Sequence, residues 1–240
     1  MDRRSFVGAL GGLGMAAAAT EKRTRFYSLE SFKLKAGTQL SRLHEHFGKK
    51  LAGISSGPKI YLEALVAPHM PQLAAIYGFS SLDELLAVHG KSMFDALDSG
   101  PESAFESLDR TLLEAAPYSP EIAPTAEGKP RIFELRVYHS PTYRQLGLLH
   151  DRFSGPEIKI FHRVGIHPIL YSSTLIGQNL PNLTYLIPFE NLAAREKAWT
   201  AFAADPEWVK VRKESIDRGG QISALQNISL WKATDYSPIK

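Results

Sequence analysis

The residues best equipped for chemistry sit in one short stretch, RIFELRVYH at 131–139, which carries Glu134, Arg136 and Tyr138. Its strict alternation places those three on one side of a strand and Phe133, Leu135 and Val137 on the other. The apolar set suits a surface covered by helices, so the polar set is expected to line an interior cavity. Earlier strands are expected to add Glu30, Tyr61 and Glu63 to the same cavity. Such a lining suits a small polar or aromatic molecule. Arg136 would anchor an anion, and a carboxyl of raised pKa would act as acid or base. A structural use competes: Arg136 paired with Glu30 or Glu134, because buried charges are kept only when paired.

Two histidines, His44 and His150, interrupt apolar helix stripes at matching places. A hydrogen-bonded histidine between helix and sheet is the plain expectation, and a metal ligand the sharper one. His46 cannot join His44 in a chelate, because an i, i+2 pair points to different helix faces. His162 and His167 flank Gly165 and fall on different elements. Without a cluster of histidines and carboxylates, no metal is expected. The chain has no G-x-S-x-G, no phosphate-binding G-x-x-x-x-G-K and no H-E-x-x-H.

These residues are held by a chain that repeats itself. QLSRLHEHF (39–47) recurs as QLGLLHDRF (145–153), MPQLAAIYGFSSL (70–82) as LPNLTYLIPFENL (180–192), and LLEAAPYSP (112–120) as LWKATDYSP (230–238). The order is kept while the offset grows, so the second copy has longer loops or helices. Each copy reads β-α-β-β-α-β, a ferredoxin-like split β-α-β. The expected division is a signal segment at 1–19, a first unit at 22–116, a proline-rich linker at 117–130 and a second unit at 131–240. The fold class is α+β. Helices cover one face of each sheet, so two units are expected to pack sheet to sheet into a fused barrel. In the second copy Asp205 and Pro206 break the second helix and restart it, with Asp205 as cap and Pro206 in the first position.

Composition narrows the function classes. Over 240 residues, hydrophobic residues make up 44%, charged residues 22%, and the net charge is +3. This is a chain that can build a core, and its basic residues form no stripe of the kind nucleic acids require. Cysteine is absent, which excludes disulfides and thiolate metal sites. The first twenty residues, MDRRSFVGALGGLGMAAAAT, have the charged, apolar and small-residue layout of a secretory signal. Arg3-Arg4 before Ser5-Phe6 resembles the twin-arginine export motif. The expectation is an exported protein, periplasmic or extracellular, with no stable membrane insertion after cleavage.

The strand FELRVY (133–138) and the stretch WTAFAADPEW (199–208) resemble the NIPSNAP family, a branch of the dimeric α/β-barrel group of ferredoxin-like folds. The resemblance covers residues 131–233 directly and the first copy through its repeat relation. It implies a fused dimeric α/β barrel, and it implies no defined reaction. Some relatives in that group bind haem between helix and sheet, which would make His44 or His150 an axial ligand. The single-copy group dimerises, so a homodimer is open. Three functions stay in play: binding of a small organic molecule in the barrel; cofactor-independent monooxygenase, isomerase or lyase chemistry there; or protein–protein interaction. A polar cavity around Arg136 favours the first two, and a barrel filled by large side chains the third.

Overall fold

The computed structural model describes residues 23–49, 55–89, 102–125 and 131–240. The expected signal segment therefore lies outside the described residues, as do the end of the linker and the later part of the first copy's second helix.

The first half runs β1 (Phe26–Lys33), α1 (Thr38–Lys49), β2 (Lys59–Val66), β3 (Gln72–Phe79), α2 (Leu82–His89) and β4 (Ser107–Ala115). The second runs β5 (Ile132–His139), α3 (Tyr143–Arg152), a π turn (Phe153–Glu157), α4 (Ile158–Arg163), β6 (Leu170–Ile176), β7 (Asn182–Phe189), α5 (Leu192–Ala204), α6 (Pro206–Gly219) and β8 (Leu225–Ala233). Side-chain caps begin three helices of the second half, α3, α5 and α6. Thr142 accepts from the Gln145 amide at 3.2 Å and Asn191 from the Ala194 amide at 2.9 Å. Asp205 accepts from the amides of Glu207 and Trp208, with Pro206 in the first turn of α6. The break at residues 205–208 is thus a capped restart, where otherwise orphaned amides find a carboxylate.

The eight strands form one closed antiparallel barrel in the order β1-β3-β2-β8-β5-β7-β6-β4. Each half contributes a four-stranded sheet, and the halves meet at two seams, β2 with β8 and β4 with β6. The two sheets therefore join edge to edge as well as facing each other, which leaves neither half an open edge.

The barrel interior has an apolar middle, beside which Thr174, Asn182 and Thr184 form a buried hydrogen-bonded cluster. Leu29, Leu62, Ile76, Leu113, Phe133, Leu170, Leu186 and Trp231, one from each strand, belong to a single buried cluster. Two further clusters lie outside the barrel wall, one beneath the helices of each half. Beyond the strands the halves also clasp each other. The Ser119 hydroxyl, just after β4, accepts from the Tyr171 amide of β6 at 3.0 Å. The Ser237 hydroxyl, just after β8, accepts from the Tyr61 amide of β2 at 3.0 Å. The repeated Tyr-Ser-Pro thus ends its own unit's last strand and holds the opposite unit.

Candidate functional site

The interior expected from the alternation of β5 is reversed. Phe133 and Leu135 point into the barrel, and Tyr138 packs with the outer cluster under the second half's helices. Period-two alternation separates two faces but carries no label saying which meets the helices. The middle of the interior is packed with aliphatic and aromatic side chains from all eight strands, and Phe133 and Leu135 join them. The helix side can offer side-chain donors, and it takes Glu134, Arg136 and Tyr138.

Those three are brought together there. The Glu134 carboxylate is completely buried and accepts from Arg136 Nε, from Arg195 Nε at 2.6 Å and from Trp199 Nε1 at 3.0 Å. Arg136 Nη1 donates to the Tyr138 hydroxyl at 2.5 Å, and its guanidinium lies 3.7 Å from the Trp199 ring centroid. Burial draws the Arg136 pKa down, but the phenols of Tyr185 and Tyr138 and the Glu134 carboxylate outweigh it and keep the charge in place. So Arg136 does pair with Glu134, though outside the barrel, and it does not pair with Glu30.

Above this wall opens a cleft of about 410 Å³. Arg136 and Tyr138 form its sheet side, Trp199 and Phe202 of α5 and Trp208 of α6 its helix side, and Arg152 and Glu157 its end. Arg152 Nε donates to Glu157 Oε2 at 2.6 Å, and its guanidinium lies 5.0 Å from the Trp208 centroid. Burial pushes the Glu157 carboxyl above the usual range, against the pull of Arg152. Arg136, Arg152, Arg195 and Arg212 line the cleft against Glu157 in the lining and Glu134 beneath it, so positive charge is in excess by two. Two arginine–indole stacks beside that excess suit a planar anion.

The other expected residues lie elsewhere. Glu30, Tyr61 and Glu63 lie on the helix side of the first half and share no cavity with Arg136. Glu30 is buried and pairs with Arg110 at 2.9 Å; burial raises its pKa, opposed by Arg110. The Tyr61 ring packs on Phe47, Tyr77 and Tyr236, and burial lifts its hydroxyl to about 12. Glu63 is half exposed and meets His44 Nε2 at 3.1 Å.

Both matching histidines bridge the halves. His44 Nδ1 meets the Tyr236 hydroxyl at 3.0 Å, and His150 Nδ1 meets the Tyr118 hydroxyl at 2.7 Å. The second nitrogen of His150 meets Ser173 Oγ at 2.8 Å. Burial lowers the His150 pKa, with Asp151 opposing. With both ring nitrogens engaged, neither imidazole suits an axial ligand to iron. His162 and His167 lie on different elements yet stack, with centroids 5.0 Å apart. Among the described residues no three His, Asp or Glu side chains gather as a metal set.

Sequence reasoning missed Glu157, Arg152 and Arg195 as members of the site. Glu157 and Arg152 are joined through the π turn, whose only sequence signal is Gly155-Pro156 inside a helical stretch. Arg195 reaches Glu134 across 61 positions of sequence, which nothing local reveals.

The fold defines a class, a fused dimeric α/β barrel, and the cleft lies between sheet and helices of its second half. Residues 133–238, the half that carries the cleft, match the NIPSNAP family model. No protein of curated function matches the chain in sequence. Among solved structures, the chain is similar to an anthrone oxidase-like protein at 16% identity and TM-score 0.60, over 88% of this chain and 92% of that one. It is also similar to a candidate monooxygenase from Fusobacterium nucleatum subsp. nucleatum at 9% identity and TM-score 0.58, over 88% and 93%. A NIPSNAP-like domain protein from Burkholderia xenovorans aligns at 24% identity and TM-score 0.39, over 45% of this chain and 89% of that one. At these identities the likeness is one of fold.

Proposed function

We propose that the protein binds a small organic anion with an aromatic body in the helix-side cleft of its second half. This moves the expected site from the barrel interior, where an apolar cluster sits, to the space outside its wall. One observation carries the reading: Arg136, Arg152, Arg195 and Arg212 outnumber Glu157 and the underlying Glu134 in a cleft walled by Trp199, Phe202 and Trp208. Arg136 Nη2 has no acceptor among the described residues, which leaves it to a ligand carboxylate. A filled barrel alone would favour an interaction role; the cleft and its unbalanced charge favour a small ligand.

The test is a titration with phenylacetate, read by tryptophan fluorescence, since Trp199 and Trp208 both line the cleft. Arg136→Ala should weaken binding about 10- to 100-fold, the worth of a charged hydrogen bond. Unchanged affinity removes Arg136 as the anchor.

A second reading is a cofactor-independent monooxygenase, isomerase or lyase using the same cleft. The anthrone oxidase-like and candidate monooxygenase structures share the fold and so support it. Oxygen uptake with an aromatic substrate would favour the oxygenase branch. We also hold to export as the setting, on the strength of Arg3-Arg4-Ser5-Phe6; a Lys-Lys replacement should trap the precursor inside the cell, and normal processing would argue against that route.

A further inference from the structure

We propose that Glu157 is the proton-transfer base of the cleft, and that its substrate is an aromatic acid bearing an enolisable carbonyl. The inference rests on the binding reading above and adds a chemical step to it.

The backbone is bent to place this residue. The helix that starts at Tyr143 is regular to Arg152 and then widens into the π turn Phe153–Glu157, with Gly155 at φ −89°, ψ −113° and Pro156 inside it. Proline removes an amide donor, and the wider turn absorbs the break. The wider turn also shifts the helix phase, and Glu157 is 2% exposed while its side chain lines the cleft. In a plain surface helix a carboxylate would point to water.

Its surroundings suit a base. Oε2 is held by Arg152 Nε at 2.6 Å, and Oε1 has no hydrogen-bond donor among the described residues. Orientation is thus fixed through one oxygen while the other is left for a proton. Facing it are the guanidinium groups of Arg152 and Arg136 and the phenols of Tyr118, Tyr138, Tyr171 and Tyr185. The phenols are all pushed above their ordinary value, chiefly by burial, so they stay neutral while Glu157 titrates. Burial also makes Glu157 more basic than a surface carboxylate. Arg136, on the sheet side of the same cleft, offers a fixed positive charge where negative charge would develop.

The step balances without a co-reactant. Glu157 Oε1 takes a proton from the carbon beside the carbonyl. The C–H electron pair becomes the new carbon–carbon double bond, and the carbonyl oxygen takes up the displaced pair as an enolate facing Arg136. Return of the proton to oxygen gives the enol, and return to carbon restores the ketone. Nothing is oxidised or reduced.

Phenylpyruvate combines the ring, the carboxylate and the enolisable methylene. With the full chain in deuterated buffer, loss of its methylene proton signal should run about 100-fold or more above buffer, the usual scale of general-base catalysis. The rate should rise with pH through a titration above the ordinary carboxylate range. Glu157→Gln should bring exchange back to the buffer rate while phenylpyruvate still quenches the cleft tryptophans. Glu157→Asp, which keeps the charge opposite Arg152, should fall between and guards against a Gln variant that fails to fold. Binding without exchange, or full exchange in Glu157→Gln, overturns the proton-transfer role and leaves the binding reading standing. Failure to bind phenylpyruvate while phenylacetate still binds overturns the substrate class. Failure to bind either overturns the binding reading itself.

Discussion

Replacing Glu134 by glutamine tests the charge arrangement beneath the cleft. The side chain is completely buried and accepts from two guanidinium groups and one indole. Glutamine keeps the shape but removes the charge, and its amide group would turn a donor toward arginine donors. Arg136 and Arg195 would then both lose their carboxylate partner, and Arg136 is almost fully buried. Removing one member of a buried pair costs about 3–5 kcal/mol, because the remaining charge is stranded. Arg195 is partly exposed and can turn to water or to Glu196, 3.7 Å away, so the expected loss lies near the lower end, about 3 kcal/mol. For a chain of this length that lowers the melting temperature by roughly 6–12 °C. Urea unfolding of wild type and variant gives the free energy directly. Arg195→Met should lose less than half as much, since Glu134 would keep Arg136. A loss under about 1 kcal/mol for Glu134→Gln is the scale of a solvent-exposed pair, and would refute the buried arrangement.

Other outcomes follow from single contacts. Asp205→Ala removes the acceptor for two amides of α6 and should cost about 1 kcal/mol, with faster amide exchange in the first turn of that helix. Gly78→Ala puts a Cβ 2.6 Å from Pro58 Cδ and 2.7 Å from Thr24 Cγ2, so overpacking should destabilise by about 1–3 kcal/mol in chemical denaturation. His150 has a folded pKa below its ordinary 6.5, chiefly through burial, so the unfolded chain binds more protons. Its contribution is full above 6.5 and is lost as pH falls toward the folded value; that part of the stability–pH slope should vanish in His150→Gln.

Much of the fold was legible because it is written in periodicity. The strand alternation of 131–139, the repeated QLSRLHEHF pattern and the capped break at residues 205–208 each name a local structure with a local cause. The site was legible only in part. Glu134, Arg136 and Tyr138 do act together, yet on the opposite face from the one expected, because alternation has no sign. Glu30, Tyr61 and Glu63 were grouped with them on the assumption of a shared interior, and the barrel wall separates them. Arg195 and Glu157 depend on a side chain of α5 reaching across to β5 and on a π turn shifting helix phase. Both are properties of packing that no short window of sequence contains.

The reciprocal seams have a consequence for the order in which the chain can mature. The final strand, Leu225–Ala233, pairs with Lys59–Val66 from near the start, and Tyr236-Ser237 closes over that same early strand. During synthesis the edge of Lys59–Val66 therefore stays unpaired until residues 225–237 have been made. Contacts this distant in sequence close slowly, and open strand edges invite wrong partners meanwhile. The growing chain is at its most vulnerable just before residues 225–237 emerge. Ending the chain after Ile228 would remove every residue that pairs with Lys59–Val66 and one of the two serine clasps, undoing the first half's closure from a segment remote in sequence.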